Sequence, residues 1–184
     1  MILQNGRPAC AAGREDKEMK VYDVLDGLGI EYSRTDHGPV GTIADCLEVD
    51  KVLGITICKN LFLCNRQKTA FYLLMLPGHK VLRTKELSAQ IPTSRLSFAS
   101  GEDMVRYMNV APGSATVMGL IYDTDCSVQL LVDEEILQEE YVGCHPCVNT
   151  SSLKLRTEDV FGKFLAAVHH DYKTVTLSSD SPQD

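Results

Sequence analysis

The stretch Ile55-Thr56-Ile57-Cys58-Lys59-Asn60-Leu61-Phe62-Leu63-Cys64 is apolar and contains β-branched residues, a composition typical of a buried strand. A second apolar stretch, Thr69 to Leu76, follows after Asn65-Arg66-Gln67-Lys68. Two such stretches joined by four polar residues predict an antiparallel hairpin. This hairpin is the centre of the predicted fold.

Lys59 is the charged residue within the first of these stretches. Moving an ammonium out of water is costly unless an anion or a carbonyl pairs with it. One interpretation is that the stem lies along the strand and the charge reaches solvent. The other places Lys59 at the mouth of a cavity, and two polar turns beside apolar strands favour it: Ala111 to Thr116 and Gly143 to Thr150. Lys59 and these two turns form the candidate site.

The remaining elements follow from periodicity and capping patterns. Val21, Val24, Leu25 and Leu28 predict a helix over Asp16 to Leu28, which Gly29 ends. Other predictions are a strand at Ile30–Thr35, helices beginning near Thr42, Thr84, Ser100 and Thr157, a hairpin over Leu120–Val132 and a strand at Leu153–Leu155. The predicted class is α+β, with one mixed, largely antiparallel β-sheet or barrel-like sheet, short flanking helices and a C-terminal helix.

Composition sets the organisation of the chain and limits its partners. The 184 residues, 44% of them hydrophobic, predict a single domain over residues 16–177, after a flexible segment 1–15 and before a frayed tail 178–184. No apolar stretch approaches the roughly 20 residues of a membrane helix, and no signal peptide is evident. We therefore expect a cytoplasmic protein without a membrane partner.

The net charge of -7 argues against broad binding to DNA, which needs many lysine and arginine contacts to phosphates. A local basic cluster, interpreted as a solvated face, comprises Lys51, Lys59, Arg66, Lys68, Lys80, Arg83 and Lys85. His169 and His170 are likewise interpreted as a solvated pair at the end of the last helix.

Seven cysteines, an odd number without regular spacing, indicate reduced thiols rather than a disulfide framework. Cys144 and Cys147 form a C-x-x-C pair, which elsewhere serves redox chemistry or binds zinc. A zinc site would need two further ligands at a suitable spacing, and the sequence offers none. We predict neither metal nor cofactor, and thiol redox chemistry stays the least favoured alternative.

Four groups of residues carry a resemblance to a known family. They are His37 with Pro39 and Thr42, Lys59-Asn60-Leu61-Phe62-Leu63, Pro112-Gly113-Ser114, and His145-Pro146 with Asn149-Thr150. In this order they resemble the YbaK/ProX family of trans-editing aminoacyl-tRNA deacylases, also called prolyl-tRNA synthetase associated domains. The resemblance covers roughly Glu18 to Leu177, and its spacing suits the branch that removes alanine from proline tRNA.

The resemblance implies hydrolysis of the ester that joins a wrong amino acid to tRNA, with Ala-tRNA(Pro) as the expected substrate. It implies that Lys59 is catalytic or orients the substrate, that Gly113 and Ser114 line the aminoacyl pocket, and that His145 positions the aminoacyl group or the terminal adenosine. The other implied substrate-binding residues are His37, Thr42, Asn60, Asn149 and Thr150. The implied partners are the acceptor end of aminoacyl-tRNA and prolyl-tRNA synthetase.

The residues themselves offer a mechanism compatible with this reaction. The glycine of Pro112-Gly113-Ser114 allows close approach of the main chain, so that consecutive N–H groups face an oxyanion or a carbonyl.

One departure from the family pattern keeps an alternative function open. The branch continues Gly-Ser-Val-Thr-Pro-Phe, whereas this chain has Val117 and Met118 in place of the proline and the aromatic residue. The alternative function is a non-catalytic sensor that binds aminoacyl-tRNA or an amino acid.

Overall fold

The computed structural model describes residues 1–39, 43–93 and 95–179, and of residues 43–46 only the backbone. In chain order the strands are β1 (Gln4–Asn5), β2 (Tyr32–Asp36), β3 (Lys59–Asn65), β4 (Phe71–Leu76), β5 (Leu96–Phe98), β6 (Val128–Asp133), β7 (Tyr141–Cys144), β8 (Ser151–Arg156) and β9 (Tyr172–Val175). The α-helices are α1 (Asp16–Gly27), α2 (Ile43–Leu53), α3 (Thr84–Gln90), α4 (Gly101–Met108) and α5 (Leu165–Ala167). A π-helical segment, Asp159–Phe164, runs directly into α5.

The strands form two sheets. The first has the order β1-β2-β8-β7 and is antiparallel throughout. The second has the order β5-β3-β4-β6-β9, and its β4–β6 and β6–β9 pairs are parallel. The predicted α+β class is confirmed, but the strands divide between two sheets, and neither closes into a barrel within the described part of the chain.

The central hairpin is confirmed with a shorter first strand than predicted. β3 and β4 pair antiparallel with Lys59 opposite Leu76 and Cys64 opposite Phe71. Residues 55–58 stay outside the sheet, and the Ile57 amide donates to Asp50 Oδ1 at 3.0 Å instead of joining a ladder. Lys59 is therefore the first residue of β3 rather than a residue in the middle of a buried strand.

All six residues of β4 are buried, which places this strand at the centre of the molecule. Side chains alternate between the two faces of a strand. Leu73 and Met75 join the larger hydrophobic core, which packs between the two sheets, α1 and the C-terminal helix. Leu74 and Leu76 join a smaller core closed by α3.

The predicted hairpin over Leu120–Val132 is wrong. Residues Val117–Tyr122 form a 3₁₀-helix, because Thr116 caps it by accepting the Met118 amide at 3.3 Å. Gly119 lets this helix approach α4 closely, since a Cβ there would lie 2.9 Å from Cβ of Met108. β6 then pairs in parallel with β4, not with a preceding strand.

Both chain ends contribute contacts that the sequence did not indicate. Part of the segment 1–15, predicted to be flexible, pairs with β2 through β1, and Arg14 Nη2 lies 2.6 Å from Asp36 Oδ2. His170, predicted to be solvated, is buried, and its Nε2 lies 3.0 Å from Oδ2 of the buried Asp123. This pair fastens the end of the C-terminal helix to the loop before β6.

The C-terminal helix begins as predicted but without the expected side-chain cap. The Thr157 hydroxyl has no hydrogen-bonding partner among the described residues. Val160, Phe164 and Leu165 of this helix are buried in the larger hydrophobic core. A search of the described residues for a helix of sufficient length and apolarity to cross a membrane finds none.

Candidate active site

A cavity of about 850 Å³ opens beside the beginning of β3. Its wall is largely apolar and includes Ile57, Leu61, Phe62, Phe98 and Met104. The side chains that bring polar groups to it belong to Asp50, Thr56, Lys59, Asn60, His79, His145 and Ser152. Four residues predicted from sequence, Lys59, Asn60, Gly113 and His145, therefore lie around one cavity.

Lys59 lies at the edge of this cavity with its ammonium held in place. Its Nζ donates a hydrogen bond to the main-chain oxygen of Lys80 at 2.8 Å. The residue as a whole is exposed, so it does not carry the desolvation cost expected of a lysine inside a buried strand. This position agrees with both interpretations made from sequence, because Lys59 is exposed and also lines the cavity.

Lys80 supplies that carbonyl from an anchored position. Its side chain is only 2% exposed, and Nζ lies 2.9 Å from Asp133 Oδ1 and 2.8 Å from Glu135 Oε1. Burial disfavours the charged form, but the hydrogen bonds to Glu135 and Asp133 outweigh it and raise the pKa of Lys80. The two carboxylates lie on β6 and in the loop that follows it. Because the Lys80 side chain is buried against them, its interpretation as part of a solvated basic face is wrong.

The turn at 111–114 places main chain rather than side chain at the cavity. The Ser114 amide donates to the Ala111 carbonyl at 3.0 Å. Ser114 is buried and does not line the cavity, contrary to the prediction that it lines the aminoacyl pocket. Gly113 and Ala115, its neighbours, both line the cavity. Their amides have no hydrogen-bonding partner within the described part of the chain, so they are free to donate to a ligand.

Gly113 has a backbone conformation that favours glycine, with φ at +86°. A Cβ at this position would meet no close atom, since the nearest, Asn149 Nδ2, is 3.8 Å away. We therefore expect Gly113→Ala to destabilise the protein by about 1–2 kcal/mol through backbone strain alone. Urea unfolding of the variant measures this change.

Gly27→Ala is the matched control for Gly113→Ala. Gly27 ends α1, has no atom within 4 Å of an added Cβ and does not have a positive φ. The same substitution there should stabilise the protein by about 0.4–1 kcal/mol, because alanine restricts the unfolded chain. Equal stabilities of the two variants would contradict the assignment of strain to Gly113.

Two side chains join the turns around the cavity. Asn60 Oδ1 accepts the Val117 amide at 3.1 Å, which fixes the turn at 111–117 to β3. The Thr116 hydroxyl donates to the His145 carbonyl at 2.6 Å, which fixes the same turn to the loop after β7. The contact of Asn60 is a structural one and its implied substrate-binding role stays a prediction, whereas Thr116 was not among the predicted site residues.

His145 carries the ring that lines this side of the cavity. Its Nδ1 lies 3.0 Å from the Ser151 carbonyl and 3.4 Å from the Ser152 hydroxyl. Burial lowers the pKa of His145, against the opposing effect of the Ser151 hydrogen bond, and the nearby His37 lowers it further. The ring is therefore neutral at physiological pH.

The remaining predicted residues form a layer behind the cavity wall. His37 does not line the cavity, but its Nε2 lies 2.9 Å from the Ser152 hydroxyl and its amide donates to the Thr150 carbonyl at 2.9 Å. Asn149 is half-buried near Gly113, and the side chain of Thr150 is not part of the cavity wall. Thr42 lies outside the described residues.

The C-x-x-C pair does not form a second reactive centre. Cys144 and Cys147 are fully buried free thiols, and desolvation raises the pKa of Cys147 to about 12 and that of Cys144 well above its usual value. Redox chemistry and metal binding both require a thiolate. Within the described residues, no group of three or more potential metal ligands is found.

Sequence reasoning missed several cavity residues. Asp50 of α2 accepts the Ile57 amide, and burial raises its pKa despite that hydrogen bond. Ser152 and His79 also line the cavity, and His79 Nε2 lies 3.3 Å from Glu135 Oε2. Isolated residues on separate elements carry no sequence pattern, so no signal pointed to them.

Comparison with known proteins assigns the family. The family model described as the aminoacyl-tRNA editing domain matches residues 37–162, more than half of the chain. The chain belongs to the aminoacyl-tRNA editing domain family. The matched range contains the residues that line the cavity, from Leu47 to Ser152, and confirms both the YbaK/ProX resemblance and the enzyme class, an aminoacyl-tRNA deacylase.

The similarity to individual proteins extends over nearly the whole chain. The prolyl-tRNA editing protein ProX of Acetoanaerobium sticklandii is 28% identical over 162 residues, 88% of this chain and 98% of its own. A prolyl-tRNA synthetase associated domain-containing protein 1 of Danio rerio is 26% identical, with 90% of this chain and 89% of its own covered. A solved structure, described as a candidate trans-editing enzyme for prolyl-tRNA synthetase, has a TM-score of 0.66 at 14% identity and covers 89% of this chain and 99% of its own.

Proposed function

We propose that this editing domain hydrolyses the ester of mischarged proline tRNA in trans, with Ala-tRNA(Pro) as its substrate. The proposal includes the acceptor end of the tRNA as the bound part, prolyl-tRNA synthetase as an associated partner and the cytoplasm as the compartment. The names of the relatives support the tRNA and the synthetase. The grouping of Lys59, the Gly113 turn and His145 around one cavity is the observation that carries the proposal.

The cavity suits hydrolysis of an activated ester. Such an ester needs a placed nucleophile and stabilisation of the negative charge that develops on its carbonyl oxygen. The Lys59 ammonium, which the Lys80 carbonyl holds, and the amides of Gly113 and Ala115, which have no partner among the described residues, are the donors available at the cavity for that charge. His145 adds a neutral ring to the same wall.

The apolar wall supports selection of the amino acid by size. A hydrophobic pocket distinguishes side chains that differ by one methylene by about 1–3 kcal/mol. Val117 and Met118, which depart from the Pro-Phe of the alanine-specific branch, are fully buried in the core and do not line the cavity. The departure therefore lies in the core beneath the site and replaces no residue that lines the cavity.

A deacylation panel tests the proposal. The purified protein is mixed with proline tRNA carrying alanine, serine, cysteine or proline, and with alanine tRNA carrying alanine. We expect fast release of alanine from Ala-tRNA(Pro) and little release of proline. Tight binding of aminoacyl-tRNA without hydrolysis of any member would replace the enzyme by the sensor alternative.

A further inference from the structure

The hydrogen bonds around His145 determine which of its ring nitrogens carries the proton. A carbonyl oxygen only accepts hydrogen bonds, so the contact of Nδ1 with the Ser151 carbonyl at 3.0 Å requires a proton on Nδ1. In a neutral imidazole the other nitrogen, Nε2, then has a free lone pair. Within the described residues, Nε2 of His145 has no hydrogen-bonding partner, and the ring lines the cavity.

A second chain of hydrogen bonds leads to the same assignment from the opposite end. His37 Nδ1 lies 2.8 Å from the Gly38 carbonyl, so this nitrogen also donates. With Nδ1 as the donor, the other ring nitrogen of His37, Nε2, is assigned as the acceptor of the Ser152 hydroxyl at 2.9 Å. With its own proton used in this way, Ser152 Oγ has lone pairs for the Nδ1 proton of His145 at 3.4 Å. Both ends of the network leave the Nε2 lone pair of His145 available.

We propose that Nε2 of His145 is the proton acceptor of the editing reaction and that Ser152 and His37 are positioning residues for its ring. The inference rests on the proposed function. As the water oxygen bonds to the ester carbon, one water proton passes to Nε2. When the carbon–oxygen bond to the ribose breaks, the leaving ribose oxygen takes a proton from Nε2, so the ring ends neutral and the products are the free amino acid and tRNA with its hydroxyl restored.

The surroundings of the ring fit this role. The ring is mostly enclosed and its lowered pKa keeps the accepting form present at physiological pH. The rings of His37 and His145 lie 6.4 Å apart and nearly edge to face, so the bridging Ser152 hydroxyl fits between them. The contacts of the Ser152 hydroxyl with both rings, 2.9 Å from Nε2 of His37 and 3.4 Å from Nδ1 of His145, hold it between them.

Nitrogen-15 NMR of the wild-type protein tests the tautomer independently of activity. At a pH where the ring is neutral, the shifts of His145 should show a protonated Nδ1 and an unprotonated Nε2. Protonation of Nε2 instead would overturn the inference. Ser152→Ala should broaden or shift the Nδ1 signal, whereas Ser33→Ala, on the neighbouring strand β2 with its hydroxyl bonded to Asn5, should leave it unchanged.

His145→Asn and His145→Gln separate proton acceptance from structure. The amide nitrogen of asparagine replaces Nδ1 and keeps the donor to the Ser151 carbonyl, but nothing replaces Nε2. We expect His145→Asn to lower kcat/KM on Ala-tRNA(Pro) by about 10²-fold or more, while circular dichroism stays unchanged. His145→Gln, which reaches the Nε2 position but leaves the Ser151 carbonyl without its donor, should lose both activity and stability.

The outcomes distinguish this inference from the proposed function. Full activity of His145→Asn beside an active wild type would overturn the proton-acceptor role and leave the editing activity in place. A wild type that hydrolyses no member of the panel would overturn the proposed function, and the role of His145 in it as well.

Discussion

Replacement of Lys59 by methionine should lower kcat/KM for Ala-tRNA(Pro) by about 10²–10³-fold, the loss seen when one oxyanion donor is removed. Methionine keeps much of the length and the apolar stem of lysine but cannot donate a hydrogen bond. Because Lys59 is exposed at the beginning of β3 and, among the described residues, its ammonium bonds to one main-chain carbonyl, we expect the free energy of unfolding to change by no more than about 0.5 kcal/mol. Single-turnover deacylation and urea unfolding of the same preparation measure both quantities.

Lys51→Met is the control for the charge that Lys59→Met removes. Lys51 lies in the last turn of α2, is exposed and does not line the cavity. Both substitutions change the net charge equally, so a general attraction for RNA would weaken by a similar amount in each. A placed donor predicts a large loss for Lys59→Met alone. Equal rates for the two variants, or an unchanged rate for Lys59→Met, would contradict the role proposed for Lys59.

Local patterns in the sequence predicted the local elements well. The apolar period of α1 and the strand pair β3–β4 appear in the structure, and Ser100 begins α4 with the capping box that its spacing to Asp103 indicates. These features depend on residues close together in the chain. The motifs at Lys59, Gly113 and His145 were also sufficient to group the candidate site, because a strand end and two loops meet at one cavity.

Features that depend on distant pairing could not be predicted from one sequence. β4 is buried on both faces, so its apolar pattern contains no information on whether β6 runs parallel or antiparallel beside it. In the sequence, Lys80 and His170 have the pattern of surface residues. In the fold, Lys80 is buried against Asp133 and His170 is buried against Asp123. Ser152 is one serine among several, and its contact with His37 joins residues 115 positions apart.

Lys80→Met should destabilise the protein by about 3–5 kcal/mol, because it removes one partner of a buried ion pair and leaves the other in place. Asp133 is completely buried, and after the substitution the partners left to its carboxylate in the described part of the chain would be the amides of Glu135 and Leu177, at 3.2 and 3.1 Å. Urea unfolding measures the loss. Activity should fall under conditions in which the variant is still folded, because the carbonyl that holds the Lys59 ammonium belongs to the residue whose anchor is removed.

Two further variants show whether the buried pair itself causes this loss. Lys85→Met removes an exposed lysine from α3 and should change the free energy of unfolding by no more than about 0.5 kcal/mol. The double variant Lys80→Met/Asp133→Leu should recover part of the stability that Lys80→Met loses, since no unpaired charge remains buried. If Lys80→Met and Lys85→Met were equally stable, the Lys80–Asp133 contact would contribute nothing to the free energy of unfolding. The anchoring of Lys59 through Lys80 would then have no energetic basis.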